Sequence, residues 1–287
     1  MLTILITIMN LKKKEKNIST FKKNKGFCLY RTDICDTEVM EKIFKKEKPV
    51  KICHLAASVG VRNSIINPKP YLHTNIDGTQ ILLELAVKYG INNFVFASSS
   101  SVYGNNKKIP FSEDDQIANP LSPYAATKAV GELLLSTYHN LYGLNCTALR
   151  FFTVYGSSGR PDMAPFLFTD AIFKGKLIQK YGKGNSKRDY TYIDDVIDGV
   201  INALEKNLSF EIINLGNNKP IELNKFISLI EKILKKKAVI KQCPVQPGDA
   251  NITYADISKA KKLIEYNPKT SIEDGMNKFI NWYLKNN

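Results

Sequence analysis

Three short runs of apolar, β-branched and aromatic residues punctuate the chain: Lys51–Ala57 (KICHLAA), Asn93–Ser99 (NFVFASS) and Asn145–Thr153 (NCTALRFFT). Runs of this length with little polar alternation predict strands buried on both faces. Between them, apolar positions recur at helical spacing over Pro70–Tyr89 and Pro123–Tyr142. Strand, helix, strand in this rhythm predicts right-handed parallel crossovers, hence an α/β fold with a doubly wound parallel sheet. Such sheets bind ligands beyond the carboxyl ends of their strands. Those ends are His54–Ala57, Ser98–Tyr103 and Arg150–Tyr155.

The rhythm changes after residue 156. Loops rich in Gly, Pro and Asn (Gly156–Ala164, Gly182–Ser186, Gly216–Pro220, Pro244–Asn251) separate helical patterns near Ala164–Gly175, Ile193–Asn207, Leu223–Lys237 and Ile272–Lys285. The expected organisation is a sheet domain over 1–155 and a smaller substrate-binding portion over 156–287, interleaved with the first. No internal repeat is present.

Composition narrows the function classes. No apolar run reaches the roughly 20 residues of a membrane span, and MLTILITIMN lacks the cleavage site of a secretory signal. The formal net charge is +14, which raises nucleic acid as a partner. The basic residues are nearly all lysines, however, and the arginines are only Arg31, Arg62, Arg150, Arg160 and Arg188. Base readout and stacking depend on arginine, so a solvated lysine surface is expected, with neither nucleic acid nor membrane as a partner. Cys28, Cys35, Cys53, Cys146 and Cys243 are odd in number and form no C-x-x-C pair. That argues for a reducing, cytoplasmic setting without disulfides. His54, His73 and His139 are too dispersed along the sequence to suggest a metal site.

Candidate chemistry centres on Tyr124 and Lys128, a Y-x-x-x-K pair at the start of a predicted helix with Ser122 as N-cap and Pro123 in the first turn. Spacing of four puts both side chains on one helix face, and an ammonium near a phenol favours the phenolate. Alone the pattern is common in lysine-rich chains. Its context is Ser98-Ser-Ser-Ser-Val-Tyr-Gly104, which places hydroxyls at the end of the preceding strand. Serine, tyrosine and lysine there form a proton-transfer set.

The segments HLAASVGVR, TNIDGTQILLELA, FASSSSVYG, SPYAATKAVGE, LRFFTVYG, GRPDMAPFLFT, RDYTYIDDV and QPGD, in that order, resemble extended short-chain dehydrogenases acting on nucleotide sugars. RFFTVYGSSGRPDMA and PVQPGDANITYADISKAKKL resemble the UDP-glucuronate 4-epimerases among them. The resemblance runs from Gly26 to the C-terminus and implies a Rossmann-like fold, NAD as resident cofactor, a UDP-sugar substrate and a homodimer. It implies catalytic roles for Ser99, Tyr124 and Lys128. It assigns the cofactor to Asp33 and Ile34 at adenine, to Leu55, Ala56, Ala57 and Asn75, and again to Tyr124 and Lys128. The UDP-sugar falls to Ser101, Thr153, Arg160, Arg188 and Asp249, with Arg62 as a further candidate. Arginine suits a diphosphate because its fork matches phosphate oxygens; Arg160 and Arg188 have structural ion pairing as their alternative role.

By this resemblance C4 of the sugar is oxidised as Tyr124 takes the hydroxyl proton, and the 4-keto sugar turns before reduction on its other face. Related dehydratases and decarboxylases carry an acid at the positions of Ser100 or Ser101, and serine at both favours plain epimerisation. The family also opens with a strand, a G-x-x-G-x-x-G loop and a helix that receives the pyrophosphate. Before Lys51 the only glycine is Gly26, and Gly26–Asp36 resembles the family's third-strand region. The sequence as it stands is thus expected to lack roughly 45 residues of the family pattern, to be incomplete at the N-terminal side of its sheet, to bind NAD weakly or not at all and to have little or no epimerase activity. A non-catalytic remnant and an epimerase of a neutral UDP-hexose are the alternatives.

Overall fold

The computed structural model describes residues 11–244 and 252–287. In chain order the helices are α1 (Leu11–Ser19), α2 (Thr37–Glu47), α3 (Val61–Ile66), α4 (Lys69–Leu72), α5 (Gly78–Lys88), α6 (Pro123–Tyr142), α7 (Ala164–Phe173), α8 (Ile193–Lys206), α9 (Leu223–Leu234), α10 (Ser258–Ile264) and α11 (Ile272–Asn286). The strands are β1 (Lys51–His54), β2 (Asn93–Ser99), β3 (Cys146–Phe151), β4 (Thr153–Tyr155), β5 (Leu177–Tyr181), β6 (Lys187–Tyr192), β7 (Phe210–Leu215), β8 (Pro220–Glu222), β9 (Val239–Cys243) and β10 (Ile252–Thr253). Two compact units result, each assembled from separate stretches: 1–104, 116–150 and 203–213 in the first, 105–115, 151–202 and 214–287 in the second.

The first unit contains the doubly wound sheet, in the order β1-β2-β3-β7. β1 runs parallel to β2, with Lys51 opposite Asn93 and His54 opposite Phe96. Every residue of β2 is buried, as a continuous apolar run requires of a central strand. β1 ends the sheet, and its Lys51 and Cys53 are exposed. Over the sheet pack Met40 and Phe44 of α2, Leu82, Leu83 and Ala86 of α5 and Leu135 of α6, against Phe94, Phe96, Cys146 and Ala148.

α6 begins and ends where its sequence says it must. The Ser122 hydroxyl accepts the Ala125 N–H at 3.1 Å, Pro123 occupies the first turn, and Gly143 closes the helix at φ +67°. The helix expected over Pro70–Tyr89 starts at Lys69 as α4, passes through a π turn at His73–Asp77 and continues as α5. The strand expected over Asn145–Thr153 is two: it breaks at Phe152, whose N–H donates to Leu215, and β4 then pairs with β6 in another sheet.

One expectation fails outright. Gly26–Asp36 forms no strand; a turn at Ile34–Cys35 leads to Asp36, which caps α2 by accepting the Val39 N–H at 3.1 Å. A strand exists only through a partner's hydrogen bonds, and among the described residues β1 has β2 as its sole neighbour. Lys51–Ala57 likewise leaves the sheet after His54, freeing Leu55–Gly60 as a loop.

The second unit has a sheet in the order β10-β6-β4, with β8 antiparallel to β6, and a separate parallel pair β5-β9. Its core is aromatic: Tyr190 stacks on Phe226 with centroids 4.5 Å apart, and Phe166 meets Tyr283 edge-on. Buried Asp189 accepts the backbone N–H groups of Asn217, Asn218 and Ala255 at 2.8, 3.0 and 3.1 Å. Three backbone donors supply what an isolated buried carboxylate would lack. Among the described residues no helix is long and apolar enough to cross a membrane.

Candidate active site

The four serines after β2 do different things. Ser98 is buried and donates to Glu132, which also receives the Nε and Nη2 of Arg150 at 2.9 and 2.8 Å. Glu132 and Arg150 are each 2% exposed, and the guanidinium lies 4.7 Å from the centroid of the Tyr103 ring. Burial disfavours the Arg150 charge, but the Glu132 carboxylate outweighs it and holds the guanidinium's pKa above its usual value. Ser99, by contrast, caps the 3-10 turn Ser100–Tyr103: its hydroxyl accepts the Ser101 N–H and donates to the Ser101 hydroxyl, both at 3.2 Å. The expected pair Ser99 and Ser101 is thus brought together at the strand's end.

Tyr124 stands half-buried in the first turn of α6, its ring edge-on to Tyr71 with centroids 6.2 Å apart. Lys128 follows one turn later and is 2% exposed. Its Nζ donates to the Ala97 carbonyl at 2.7 Å and lies 4.7 Å from the Phe96 ring centroid. Burial pulls its pKa down to about 7, against the opposing pull of Glu132. The ammonium therefore sits under the end of β2 and holds its proton less tightly than an exposed lysine does. His54, in the same unit, bonds Thr79 at 2.9 Å; burial and then Lys128 push its pKa down to about 3, so it is neutral at any working pH.

Asn75 lies within the π turn and is 1% exposed. Its Oδ1 accepts the Ser58 N–H at 2.7 Å, and its Nδ2 donates to the Ser58 carbonyl and the Thr127 hydroxyl at 3.0 and 2.9 Å. Both amide donors are thereby spent on tying the loop after β1 to α6. In that loop Leu55 is exposed, while Ala56 and Ala57 are half-buried. Asp33 is exposed, with Oδ1 accepting the Cys35 N–H at 3.0 Å. The Ile34 side chain is 1% exposed in the core; a Cβ on Gly78 would overlap it. Ile34 thus offers a ligand only its backbone. Arg62 is exposed on α3.

In the second unit Thr153 and Arg188 line one cavity of 230 Å³, together with Met163, Phe168, Gln179, Tyr181 and Tyr190. Arg188 Nη1 donates to the Lys187 carbonyl at 3.0 Å. Arg160 is not among the residues lining this cavity; its Nε and Nη2 fork onto Asp162 at 3.0 and 2.6 Å. Asp249 lies outside the described residues. Sequence reasoning passed over Gln179 and Tyr181, whose strand β5 has too irregular a burial pattern to betray its role. It also passed over the Glu132–Arg150 pair, signalled by an arginine inside an otherwise apolar strand.

The family described as GDP-mannose 4,6 dehydratase matches residues 4–279, which carries the likeness upstream of Gly26. An uncharacterized protein of Methanocaldococcus jannaschii is 48% identical over 273 residues, 95% of this chain and 84% of its own length. A UDP-glucuronate 4-epimerase of Thermodesulfobacterium geofontis is 45% identical over 270 residues, 94% of this chain and 83% of its own. Among solved structures, UDP-glucuronic acid 4-epimerase from Bacillus cereus in complex with UDP-glucuronic acid and NAD superposes with a TM-score of 0.93 at 37% identity, covering 99% of this chain and 90% of that one. The chain belongs to this family of NAD-dependent nucleotide-sugar enzymes of the short-chain dehydrogenase type. Its close relatives are nucleotide-sugar 4-epimerases, isomerases by reaction class.

Proposed function

We propose that this protein interconverts UDP-glucuronate and UDP-galacturonate by oxidation and re-reduction at C4. The observation that carries this reading is the Ser99–Ser101 hydroxyl pair closing β2, in a turn with no carboxylate, ahead of Tyr124 and a buried Lys128. Hydroxyls move a proton to and from an alcohol oxygen; they do not supply the extra acid that dehydration needs.

The nicotinamide end of the family's cofactor fits the residues present. Small side chains at Ala56 and Ala57 follow β1, and Lys128 brings a cation near the end of β2. None of the described helices opens on a G-x-x-G-x-x-G turn for the pyrophosphate. When bound, NAD would supply the reversible hydride acceptor that oxidation and re-reduction at C4 of the sugar require. Tyr124 as phenolate takes the C4 hydroxyl proton, aided by the Lys128 charge one turn away and by the positive end of α6. Ser99 donates to the same oxygen, and Ser101 holds Ser99 in register. Asn75 fixes the loop after β1 against α6, and Asp33 and the Ile34 backbone receive adenine. In the second unit Thr153 and Arg188 take the UDP-sugar, with Arg188 on the diphosphate. We place the enzyme in the cytoplasm as a homodimer; exposed Leu133 and Leu141, about two turns apart on α6, offer apolar contacts to a second copy.

The test is kcat/KM for UDP-glucuronate against UDP-glucose with saturating NAD. The reading predicts at least a tenfold preference for the uronate. Equal or reversed preference would assign the chain to neutral UDP-hexoses, and turnover of neither would make it a non-catalytic member.

A further inference from the structure

Among the described residues, one grouping of metal-ligating side chains lies apart from the catalytic triad: Asp33, Cys35 and His73, whose donor atoms all fall within 4.8 Å of one another. The sequence concealed it, because Cys35 and His73 are 38 positions apart. Two local structures bring them together. The Asp33 carboxylate folds back onto the Cys35 N–H at 3.0 Å, which turns both side chains to one side of a tight turn. His73 opens the π turn, and its carbonyl receives the Cys35 thiol at 3.3 Å. The imidazole is already oriented: Nδ1 faces Asp77 Oδ2 at 3.5 Å, which leaves Nε2 facing Asp33 Oδ2 at 3.7 Å.

We propose that Asp33, Cys35 and His73 bind a divalent transition metal of zinc or cobalt type, with Asp77 as the carboxylate that orients His73. One thiolate, one imidazole and one carboxylate form a tetrahedral-metal donor set with a fourth position for water. A second carboxylate on the other ring nitrogen is the arrangement that fixes a ligating histidine. A metal at roughly 2.0–2.3 Å from each donor draws the three inward from their present separations. Uptake at neutral pH displaces the Cys35 thiol proton to solvent as the metal–sulfur bond forms. The site joins the turn at Asp33–Cys35, which has no strand partner, to the helical segment at His73. Metal binding therefore adds a cross-link between residues 33–35 and the helical segment at His73. The inference is independent of the substrate assigned above but not of the cofactor: Asp33 does not hold the metal and receive adenine at once, so metal and NAD compete for it.

The experiment is titration of the purified chain with Co2+. The expected result is one equivalent bound, with a near-ultraviolet thiolate-to-cobalt charge-transfer band and visible bands of a four-coordinate ion. Tm rises with metal and returns on chelation. Cys35→Ser abolishes the charge-transfer band, and His73→Ala and Asp77→Asn each weaken binding about tenfold or more. The combined Cys28→Ser, Cys53→Ser and Cys243→Ser chain keeps the band. No charge-transfer band at millimolar Co2+, a band that survives Cys35→Ser, or one lost in the combined variant would overturn the proposal. Should Cys35→Ser fail to fold, zinc X-ray absorption of the combined variant decides, with one sulfur ligand supporting the site and none refuting it.

Discussion

Lys128 is where stability and function pull in opposite directions. Its ammonium is buried against the Phe96 ring with the Ala97 carbonyl as acceptor, and its pKa falls from 10.5 to about 7 through burial. Between those values the unfolded chain holds more protons at this position than the folded one. Its contribution to stability therefore rises with pH from about 7 to 10.5 and is least favourable below 7. Replacement by Lys128→Met is expected to raise stability by on the order of 1 kcal/mol, to flatten that slope and to reduce kcat by more than about 100-fold. Chemical denaturation across pH, paired with turnover, checks both halves; a variant that loses stability as well as activity would contradict the burial argument. The Tyr–Lys pair was legible from its spacing. Its microenvironment was not, since Phe96 and Ala97 meet Lys128 only through the crossover from β2 to α6.

At the scale of elements, α6 is the most constrained piece of the first unit. A Cβ on Gly131 would overlap the Phe96 ring, so Gly131→Ala is expected to destabilise by about 1–3 kcal/mol despite alanine's better helix propensity. Phe96→Leu in the same chain should recover part of that loss; failure to do so in urea unfolding would place the cause elsewhere. Glu132 anchors the same helix to β3 through Arg150 and to β2 through Ser98. Glu132→Gln leaves a buried guanidinium without its counter-charge, for an expected loss of about 3–5 kcal/mol, read in the same experiment.

Elements with local signals were legible. α6 has its serine cap, first-turn proline and terminal glycine, and β2 has an unbroken apolar run. The π turn at His73–Asp77 has no comparable sequence mark. The pair β5-β9 joins Leu177 to Val239 across a long sequence separation, and β9 is mostly exposed, so neither periodicity nor composition announced it. Gly26–Asp36 differs for a related reason: a segment that resembles a strand region forms no strand without a partner.

Over the whole molecule, the proposed chemistry divides between two units: Ser99, Tyr124 and Lys128 from β2 and α6 in the first, an arginine-bearing cavity in the second. The sequence treated Arg160 and Arg188 alike, and the geometry separates them. Arg188→Ala is expected to raise KM for the nucleotide sugar about tenfold or more, since a bidentate arginine–phosphate contact is charge-assisted. Arg160→Ala, which loses its fork onto Asp162, should change KM by less than about threefold. Equal effects in steady-state kinetics would return Arg160 to the substrate site. The net charge of +14 adds electrostatic attraction for an anionic sugar nucleotide.

The central claim is that C4 loses and regains its own hydrogen while Tyr124 handles only the hydroxyl proton. The most direct measurement is proton NMR of UDP-glucuronate incubated with the protein and NAD in deuterium oxide. The account predicts UDP-galacturonate that retains protium at C4. Deuterium at C4, or a decarboxylated pentose as the main product, would contradict it.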